Sequence, residues 1–336
     1  MPASQIRTIS LVAPVRNEGD NVDHFIADLA SQDFHGELEV LVADGNSTDD
    51  SANRLQTAAR VAGLDLRILP NPAEWVSQGL NACIREARGD LIVRVDCHSR
   101  YPADYLRRCA ELSEQTGAWN VGGRLVPMGI TPTERAVACA MDSPFGGIGW
   151  TRAAGNGQGP VDTDTVTFGA FRPEAFAQAG LFDESLVRNQ DDEFNLRLRR
   201  AGGRIVLDPD ITVMYRPRGS IRRVWRQYFE YGFWKVPVMV KHRRVLTLRS
   251  MAPPAFVLGT AGLLAGIRYP AARRLLLLQW SVYGSAAMVF GIRSLREREE
   301  PMELLPRVLA AFPAFHLAYG LGQLVGWLRA LGRLHQ

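Results

Sequence analysis

The sequence predicts an α/β domain with a twisted, mostly parallel sheet and helices on both faces, followed by C-terminal membrane helices. Two observations predict this fold class. From residue 8 to about 125, short apolar runs alternate with stretches of helical spacing, which is the pattern of βαβ units. Beyond residue 250 the chain has three charge-free segments, each near the ~20 residues that a membrane-spanning helix needs.

Five apolar runs are the predicted strands, and the stretches between them are the predicted crossover helices. The first helix is marked by Val22, Phe25, Ile26 and Leu29, which recur at helical spacing. The runs lie at 9–13, 38–43, 66–69, 91–95 and 120–126. Strands separated by helices of this length favour a largely parallel sheet.

Polar residues follow three of these strands at the point where each strand ends. Asn17 and Glu18 follow the first strand, Asp44 the second and Asp96 the fourth. In open α/β sheets the ligand crevice lies outside the carboxyl ends of the strands. The sequence therefore predicts a ligand site built from these residues.

A glycine-rich stretch at 141–170 and a helix that opens at Asp191 complete the first domain, which we expect to span 1–215. Phe194, Leu198 and Ala201 would lie along one face of that helix. The glycine-rich stretch is either a mobile loop or an active-site lid. The sequence leaves both interpretations open.

Residues 216–249 form a basic and aromatic segment between the two main parts of the chain. It contains ten Arg and Lys residues against one acid, Glu230, while the whole chain has a formal charge of only +4. Interleaved basic and aromatic residues are typical of interfacial helices on an anionic membrane leaflet. Nucleic-acid binding is the competing interpretation, and the apolar segments that follow make it the weaker one.

The apolar segments lie at 250–267, 275–292 and 308–328, so residues 250–336 are predicted to be membrane-anchoring helices. Buried core helices are the alternative. With a cytosolic first domain, the loop holding Arg268, Arg273 and Arg274 would face outward, against the positive-inside trend. A re-entrant or flat segment would remove this conflict, so the topology stays open. The mean hydropathy of −0.08 averages a polar part and an apolar part.

Several classes of protein are excluded by what the sequence lacks. No GxGxxG or GxxxxGK[ST] loop follows the first strand, and there is no GxSxG or HExxH motif. The N-terminal residues do not read as a signal peptide, so we expect the first domain in the cytosol. The cysteines are single and are expected to be reduced, buried thiols; they are Cys83, Cys97, Cys109 and Cys139.

Two motifs after the strands carry the candidate chemistry. In the Asp44–Asp49 segment, Asp44 could hydrogen-bond a base or ribose, whereas Ser47, Thr48 or Asp49 could simply cap the next helix. Asp96 and His98 are two residues apart and could converge in a turn. A carboxylate and an imidazole suit Mn²⁺ or Mg²⁺ with open positions for diphosphate oxygens.

Taken together, residues 8 to about 235 resemble the inverting family 2 glycosyltransferases of GT-A fold, which is Rossmann-like. The resemblance rests on four motifs in order: Pro14–Glu18, Asp44–Asp49, the Asp-x-Asp-like Asp96–His98, and 189–193. The block at 226–235 and the apolar tail make the chain resemble the membrane-attached, succinoglycan-type exopolysaccharide glycosyltransferases.

The resemblance implies a role for each matching position. Asp191 would be the general base, and Asp96 and His98 would hold the metal on the diphosphate. The nucleotide-sugar would be bound by Pro14, Asn17, Glu18, Asp44 and Asp96. The acceptor or lid candidates are Gly169, Arg172, Gln190, Gln227, Tyr231 and Trp234.

Two departures from the family pattern matter. His98 stands where the family has a second Asp, which leaves open the metal and its strength of binding. The Gln-x-x-Arg-Trp motif of processive synthases is absent, and Gln227–Trp234 stands in its place. We therefore expect one sugar addition per encounter.

The resemblance implies a UDP-sugar as donor, a lipid-linked saccharide as acceptor, and membrane lipids around the C-terminal helices of an enzyme at the inner membrane. No nucleic-acid partner is expected, and the oligomeric state stays open. Two alternatives remain: a polyprenyl-phosphate sugar synthase, and a catalytically idle membrane scaffold that binds nucleotide-sugar.

Overall fold

The computed structural model describes residues 5–146, 159–243 and 248–334. The chain divides into two compact units: an N-terminal unit of Met1–Val126 with Ala154–Tyr215, and a C-terminal unit of Pro127–Ala153 with Arg216–Gln336. The sequence analysis placed 127–153 within the first domain. The structure assigns it to the C-terminal unit because its helix packs against the C-terminal helices.

The first half of the N-terminal unit's sheet is parallel, as predicted. Its strands have the spatial order β3-β2-β1-β4, and β1 pairs in parallel with both β2 and β4. The strands are β1 (Thr8–Val15), β2 (Glu37–Asp44), β3 (Asp65–Pro70) and β4 (Leu91–Arg94). The helices between them are α1 (Val22–Ala30), α2 (Ser51–Ala62) and α3 (Val76–Glu86).

The second half of the sheet is antiparallel, so the sheet as a whole is mixed. Its order continues from β4 as β8-β6-β9-β5, with β7 paired to β9. Its strands are β5 (Ser99–Arg100), β6 (Asn120–Pro127), β7 (Val161–Asp162), β8 (Ala170–Phe171) and β9 (Ile205–Tyr215). Its helices are α4 (Tyr105–Thr116), α6 (Pro173–Ala179) and α7 (Gln190–Arg200). The predicted α/β class is confirmed.

Hydrophobic clusters lie on both faces of this sheet, which confirms that helices cover both. Leu11 of β1 packs on one face with Phe25 and Leu29 of α1. The next residue, Val12, belongs to the cluster on the other face with Leu80 of α3. This alternation follows from the two-residue period of a strand. Burying each of these large side chains stabilises the fold by about 1.5–3 kcal/mol.

The order of the strands creates a switch point between β1 and β4. From β1 the chain runs outward through β2 to β3, and it then returns to the opposite side of β1 as β4. In such sheets the carboxyl ends of the two neighbouring strands open a crevice where ligands bind. The loops after β1, β2 and β4 therefore share one edge of the sheet.

The C-terminal unit is helical throughout its described residues. Its helices are α5 (Pro132–Asp142), α8 (Ile221–His242), α9 (Ala252–Ala265), α10 (Pro270–Glu297) and α11 (Leu305–Leu334). Ser294 of α10 donates a hydrogen bond to the backbone oxygen of Cys139 in α5, at 2.6 Å. Arg298 forms an ion pair of 3.0 Å with Asp142. These bonds explain why α5 belongs to this unit.

Glycine allows α8 and α11 to pack closely. A Cβ on Gly232 of α8 would lie 2.0 Å from the carbonyl oxygen of Tyr319. A Cβ on Gly322 of α11 would lie 2.1 Å from that of Phe229. Both positions therefore require a residue without a side chain.

Two of the three predicted apolar segments form helices long and apolar enough to cross a membrane, within Pro270–Glu297 and Met302–Gly332. The first segment, 250–267, forms the 14-residue α9. At 1.5 Å per residue α9 is about 21 Å long, shorter than a hydrocarbon core of ~30 Å. The apolar part of α10 is 11% buried and that of α11 is 50% buried. Most of the apolar surface of α10 is therefore exposed, whereas half of that of α11 is buried.

Candidate active site

The loops after β1 and β2 are joined by hydrogen bonds from the Asp44–Asp49 motif. The backbone N–H of Asn17 donates to Ser47 Oγ at 3.0 Å, and Asn17 Oδ1 accepts from the N–H of Thr48 at 2.8 Å. Asn17 has a positive φ of 54°, which asparagine tolerates better than most residues. These bonds hold the first loop against the second.

Asp49 connects this loop pair to α2. One carboxylate oxygen accepts from the N–H of Gly19 at 3.0 Å, and the other accepts from the N–H of Ser51 at 3.0 Å. The hydrogen bond from the Ser51 hydroxyl is the main cause that lowers the pKa of Asp49. The motif therefore supports the start of α2 and also links the loops after β1 and β2.

Asp44 ends β2 with one carboxylate oxygen left for a ligand. Oδ2 accepts from the N–H of Ser47 at 3.3 Å. Oδ1 is buried and has no hydrogen-bond partner among the described residues. A buried acceptor without a partner costs about 1–3 kcal/mol, and more when it is charged. A donor N–H or O–H of a bound base or ribose would satisfy this atom.

The loops after β1 and β4 meet at Glu18 and His98. His98 Nδ1 lies 3.3 Å from Glu18 Oε1, and Glu18 Oε2 accepts from Asn21 Nδ2 at 2.6 Å. The His98 ring also lies edge-on to the ring of Tyr215, at 6.0 Å between centroids. His98 is therefore oriented by contacts from the loop after β1 and from the end of β9.

The two metal-ligand candidates supply few donor atoms for a metal ion. In the three described ranges of the chain, no three His, Cys, Asp or Glu side chains form a group that could hold a metal ion. Asp96 and His98 supply one carboxylate and one imidazole. Mg²⁺ is commonly bound by one or two carboxylates and completed by water and substrate phosphates. The residues therefore fit an ion that arrives with, or is completed by, a diphosphate.

Arg94 is a site residue that the sequence analysis did not select. Its Nη2 lies 3.5 Å from Asp96 Oδ2, and the two side chains are 13% and 14% exposed. Burial alone would lower the pKa of Arg94, but the carboxylates of Asp96 and Asp191 outweigh burial and raise it. The guanidinium also lies 5.6 Å from the centre of the Phe168 ring. Arg94 therefore stays charged, and it interacts electrostatically with the metal-ligand candidate Asp96 and the base candidate Asp191.

The helix with the base candidate begins in a strained turn. Asn189, at the start of α7, has a φ of 60°. The next residue, Gln190, is buried, and its Oε1 has no partner in the part of the chain that the structure describes. Asp191 Oδ1 accepts from the N–H of Asp192 at 2.9 Å. Strain and an unsatisfied amide at one turn are typical of functional sites.

The remaining acceptor and lid candidates have varied surroundings. The Gly169 carbonyl accepts from the Arg94 N–H at 3.0 Å, and Arg172 donates to Ser113 Oγ at 3.0 Å. Pro14 lies within β1. In the C-terminal unit, Gln227, Tyr231 and Trp234 lie on α8, where Gln227 donates to Tyr231 Oη at 2.9 Å. Residues 147–158 of the predicted lid at 141–170 lie outside the described residues.

Acidic loops after neighbouring strands, at the carboxyl edge of a switch-point sheet, are typical of α/β proteins that bind nucleotides. The glycosyl transferase family 2 model matches residues 10–178. The chain belongs to that family, and it has the GT-A fold. The match includes the loops after β1, β2 and β4, while Asp191 lies beyond it.

Curated relatives cover either most or part of the chain. The succinoglycan biosynthesis protein ExoA of Rhizobium meliloti (strain 1021) is 30% identical over 324 residues, which is 93% of this chain and 92% of ExoA. A Methanococcus voltae protein is 24% identical over 67% of this chain and 71% of its own length. It is named dolichyl N-acetyl-α-D-glucosaminyl phosphate 3-β-D-2,3-diacetamido-2,3-dideoxy-β-D-glucuronosyltransferase.

Among solved structures, the mannosyltransferase PcManGT from Pyrobaculum calidifontis superposes with a TM-score of 0.64 at 18% identity. The likeness covers 94% of this chain and 88% of that chain. That structure is a complex with GDP-mannose and Mn²⁺. At this identity the comparison supports the fold alone.

Proposed function

We propose that this protein is an inverting, metal-dependent hexosyltransferase of exopolysaccharide synthesis. It would move a hexose from a UDP-sugar to a lipid-linked saccharide at the cytoplasmic face of the membrane. The observation that carries the proposal is the buried Arg94, which lies 3.5 Å from Asp96 and is influenced by the negative charge of Asp191. This buried cation interacts electrostatically both with Asp96, the carboxylate proposed at the diphosphate, and with Asp191, the candidate general base.

The nucleotide end of the donor would bind at the loops after β1 and β2. The unsatisfied Oδ1 of Asp44 is an acceptor for a base N–H or a ribose hydroxyl. Asn17 and Glu18 stand beside it, fixed by their backbone bonds to Ser47 and Ser51. A preformed loop loses little entropy when the nucleotide binds.

Asp96 and His98 would hold a divalent ion at the diphosphate. When bound, such an ion offsets the charge that grows on the leaving diphosphate. The Mn²⁺ complex of the fold neighbour PcManGT supports this assignment. Arg94, permanently charged beside Asp96, would add a second positive charge at the same end of the site.

Asp191 would act as the general base. The acceptor hydroxyl oxygen forms a bond to the anomeric carbon while the bond from that carbon to the diphosphate oxygen breaks, and the proton passes to Asp191. One direct displacement inverts the anomeric carbon, so no covalent enzyme intermediate is needed. Proton transfer to a positioned base contributes typically ~10²–10⁴-fold to the rate.

The acceptor side of the proposal rests on the C-terminal unit. The exposed apolar side chains of α10 include Leu277, Leu278 and Val289, and they suit a hydrocarbon environment. The basic residues of α8 suit an anionic leaflet. The M. voltae relative is named for a dolichyl-linked sugar phosphate acceptor, and ExoA for succinoglycan biosynthesis.

The test compares Asp191→Asn with the neighbouring Asp192→Asn in full-length protein with a panel of UDP-sugars, Mn²⁺ and a lipid extract. We expect Asp191→Asn to bind UDP with wild-type affinity and to lose transfer by at least ~10²-fold. Asp192→Asn should retain most of the activity.

Other outcomes identify the alternatives. Full transfer by Asp191→Asn would contradict the base assignment and favour a polyprenyl-phosphate sugar synthase, whose phosphate acceptor needs no base. Binding of UDP-sugar without turnover by the wild type would favour an idle scaffold.

A further inference from the structure

A buried carboxylate on α1 holds the chain just beyond the loop after β4. Asp28 is 7% exposed, and its two carboxylate oxygens accept from Arg100 Nε at 2.7 Å and Nη2 at 2.8 Å. Its Oδ2 also accepts from the backbone N–H of Tyr101 at 2.9 Å. A buried charge is tolerated when it is paired and hydrogen-bonded. These bonds join β5 and Tyr101 to α1.

The side chain of Tyr101 in turn holds the backbone of Asp96. The N–H of Asp96 donates to Tyr101 Oη at 2.8 Å, and the carbonyl oxygen of Asp96 accepts from the N–H of Ser99 at 3.1 Å. Just before this turn, the N–H of Val95 donates to the carbonyl oxygen of Val12 at 3.0 Å. The backbone of Asp96 is therefore fixed on both sides. A side chain five residues further along the chain thus sets the direction in which the Asp96 carboxylate leaves the sheet.

The hydroxyl of Tyr101 is itself held in place by aromatic packing. Tyr101 is 3% exposed, and its ring centre lies 5.1 Å from that of Tyr105 and 6.3 Å from that of Phe168. Both distances are those of packed aromatic pairs. The Phe168 ring also lies 5.6 Å from the guanidinium of Arg94. One aromatic cluster therefore contacts both the backbone of Asp96 and the cation beside its carboxylate.

We propose that Tyr101 and Asp28 are positioning residues for the metal ligand Asp96: Tyr101 holds its backbone, and Asp28 holds Tyr101. The inference rests on the proposed function, which assigns a divalent ion to Asp96 and His98. β4 ends at Arg94, so side-chain bonds do the work of strand pairing at Asp96. Metal ligands must lie within about 0.2 Å of their required distances. Groups that orient such ligands typically contribute ~10–100-fold to metal affinity.

The neighbouring Tyr105 distinguishes positioning of the ligand from a general contribution to stability. It is 1% exposed, and its hydroxyl donates to the carbonyl oxygen of Phe168 at 2.9 Å, not to the loop that holds Asp96. Replacing either tyrosine by phenylalanine removes one buried hydrogen bond and keeps the ring. If the hydroxyl of Tyr101 only stabilised the fold, the two substitutions would have the same consequences for metal binding.

The test measures Mn²⁺ binding to full-length protein in detergent with saturating UDP, from the electron paramagnetic resonance signal of free Mn²⁺. We expect Tyr101→Phe to weaken Mn²⁺ binding at least ~10-fold and to leave UDP binding without metal unchanged. Tyr105→Phe should bind Mn²⁺ with wild-type affinity, although its Tm falls to a similar extent because it also loses one buried hydrogen bond. Asp28→Asn should weaken Mn²⁺ binding as well. Asp33→Asn is its matched control with unchanged Mn²⁺ binding, since Asp33 pairs with Arg107 at 3.0 Å.

Three results would overturn the proposal. They are wild-type Mn²⁺ affinity in Tyr101→Phe, an equal loss of Mn²⁺ affinity in Tyr101→Phe and Tyr105→Phe, and no Mn²⁺ binding by the wild type in the presence of UDP. UDP release from a panel of UDP-sugars, measured on the same preparations, separates this inference from the proposed function. A wild type that binds Mn²⁺ and releases no UDP contradicts the proposed function, while the Mn²⁺ affinities of the two tyrosine variants still decide the positioning role.

Discussion

Replacing Arg94 by methionine is expected to destabilise the N-terminal unit and to stop use of the donor sugar. The arginine side chain is 13% exposed, and its Nη2 lies 3.5 Å from Asp96 Oδ2. The carboxylate of Asp191 acts on it as well. Methionine keeps the flexible apolar stem and removes the charge. Asp96 and Asp191 would then lose the positive charge that acts on both of them.

The size of the loss follows from burial. Removing one member of a buried ion pair costs about 3–5 kcal/mol. The 3.5 Å separation is long for a charge-assisted hydrogen bond, so we expect a smaller loss of about 2–3 kcal/mol. For a unit of this size, that corresponds to a fall in Tm of about 4–12 °C.

The measurement is thermal unfolding of wild type, Arg94→Met and the control Arg67→Met. Arg67 is 34% exposed and pairs with Glu39 and Glu86 at 3.3 and 3.5 Å. Its loss should cost at most about 1 kcal/mol. Arg94→Met/Asp96→Asn should recover much of the stability without recovering turnover. Equal Tm values for Arg94→Met and Arg67→Met would refute this reasoning.

Three further predictions concern the nucleotide, the metal and the helix packing. Asp44→Ala should weaken UDP binding at least ~10-fold in a titration, because it removes a buried charged acceptor. Unchanged affinity would show that the nucleobase and ribose bind elsewhere. EDTA should stop sugar transfer and added Mn²⁺ should restore it, whereas EDTA-resistant product formation would exclude a metal requirement. Gly232→Ala should lower the free energy of unfolding by about 1–3 kcal/mol, since its Cβ would lie 2.0 Å from the Tyr319 carbonyl oxygen. Gly284→Ala, with nothing within 4 Å, is the control, and an equal loss in both would contradict the packing argument.

The strands that the sequence predicted are those long enough to show a run of apolar residues. The runs at 9–13, 38–43 and 91–95 became β1, β2 and β4 because their buried side chains span both faces of the sheet. The two-residue strands β5, β7 and β8 are too short for any periodicity to appear. They supply the antiparallel pairs, so the mixed character of the sheet was not visible in the sequence.

The difference between the apolar segments and the helices has another cause. The absence of charged residues describes only the composition of a segment, whereas a membrane span must also be one continuous helix. The stretch 250–267 includes residues on both sides of α9, which begins at Ala252 and ends at Ala265. The chain then turns at Gly266 toward Pro270, where α10 begins. Hydropathy alone could not supply the position of that turn.

The sequence predicted the site residues that follow the end of a strand. It did not predict contacts between residues that are far apart in the chain. Asn17, Asp44 and Asp96 follow strand ends, so topology alone brings them to one edge. His98 was expected to act with Asp96, and its Nδ1 lies 3.3 Å from Glu18, 80 residues away in sequence. No spacing rule encodes such a distance.

Arg94 shows both what the sequence indicates about the site and what only the structure adds. A charged residue inside the apolar run 91–95 must find an opposite charge if the strand is buried, so the sequence already signalled that Arg94 has a partner. Asp96, two residues away, is the nearest acid in the sequence, and the charge of Asp191 in α7 also acts on Arg94. Replacing this one buried cation should therefore change both the stability of β4 and the electrostatic surroundings of the proposed base.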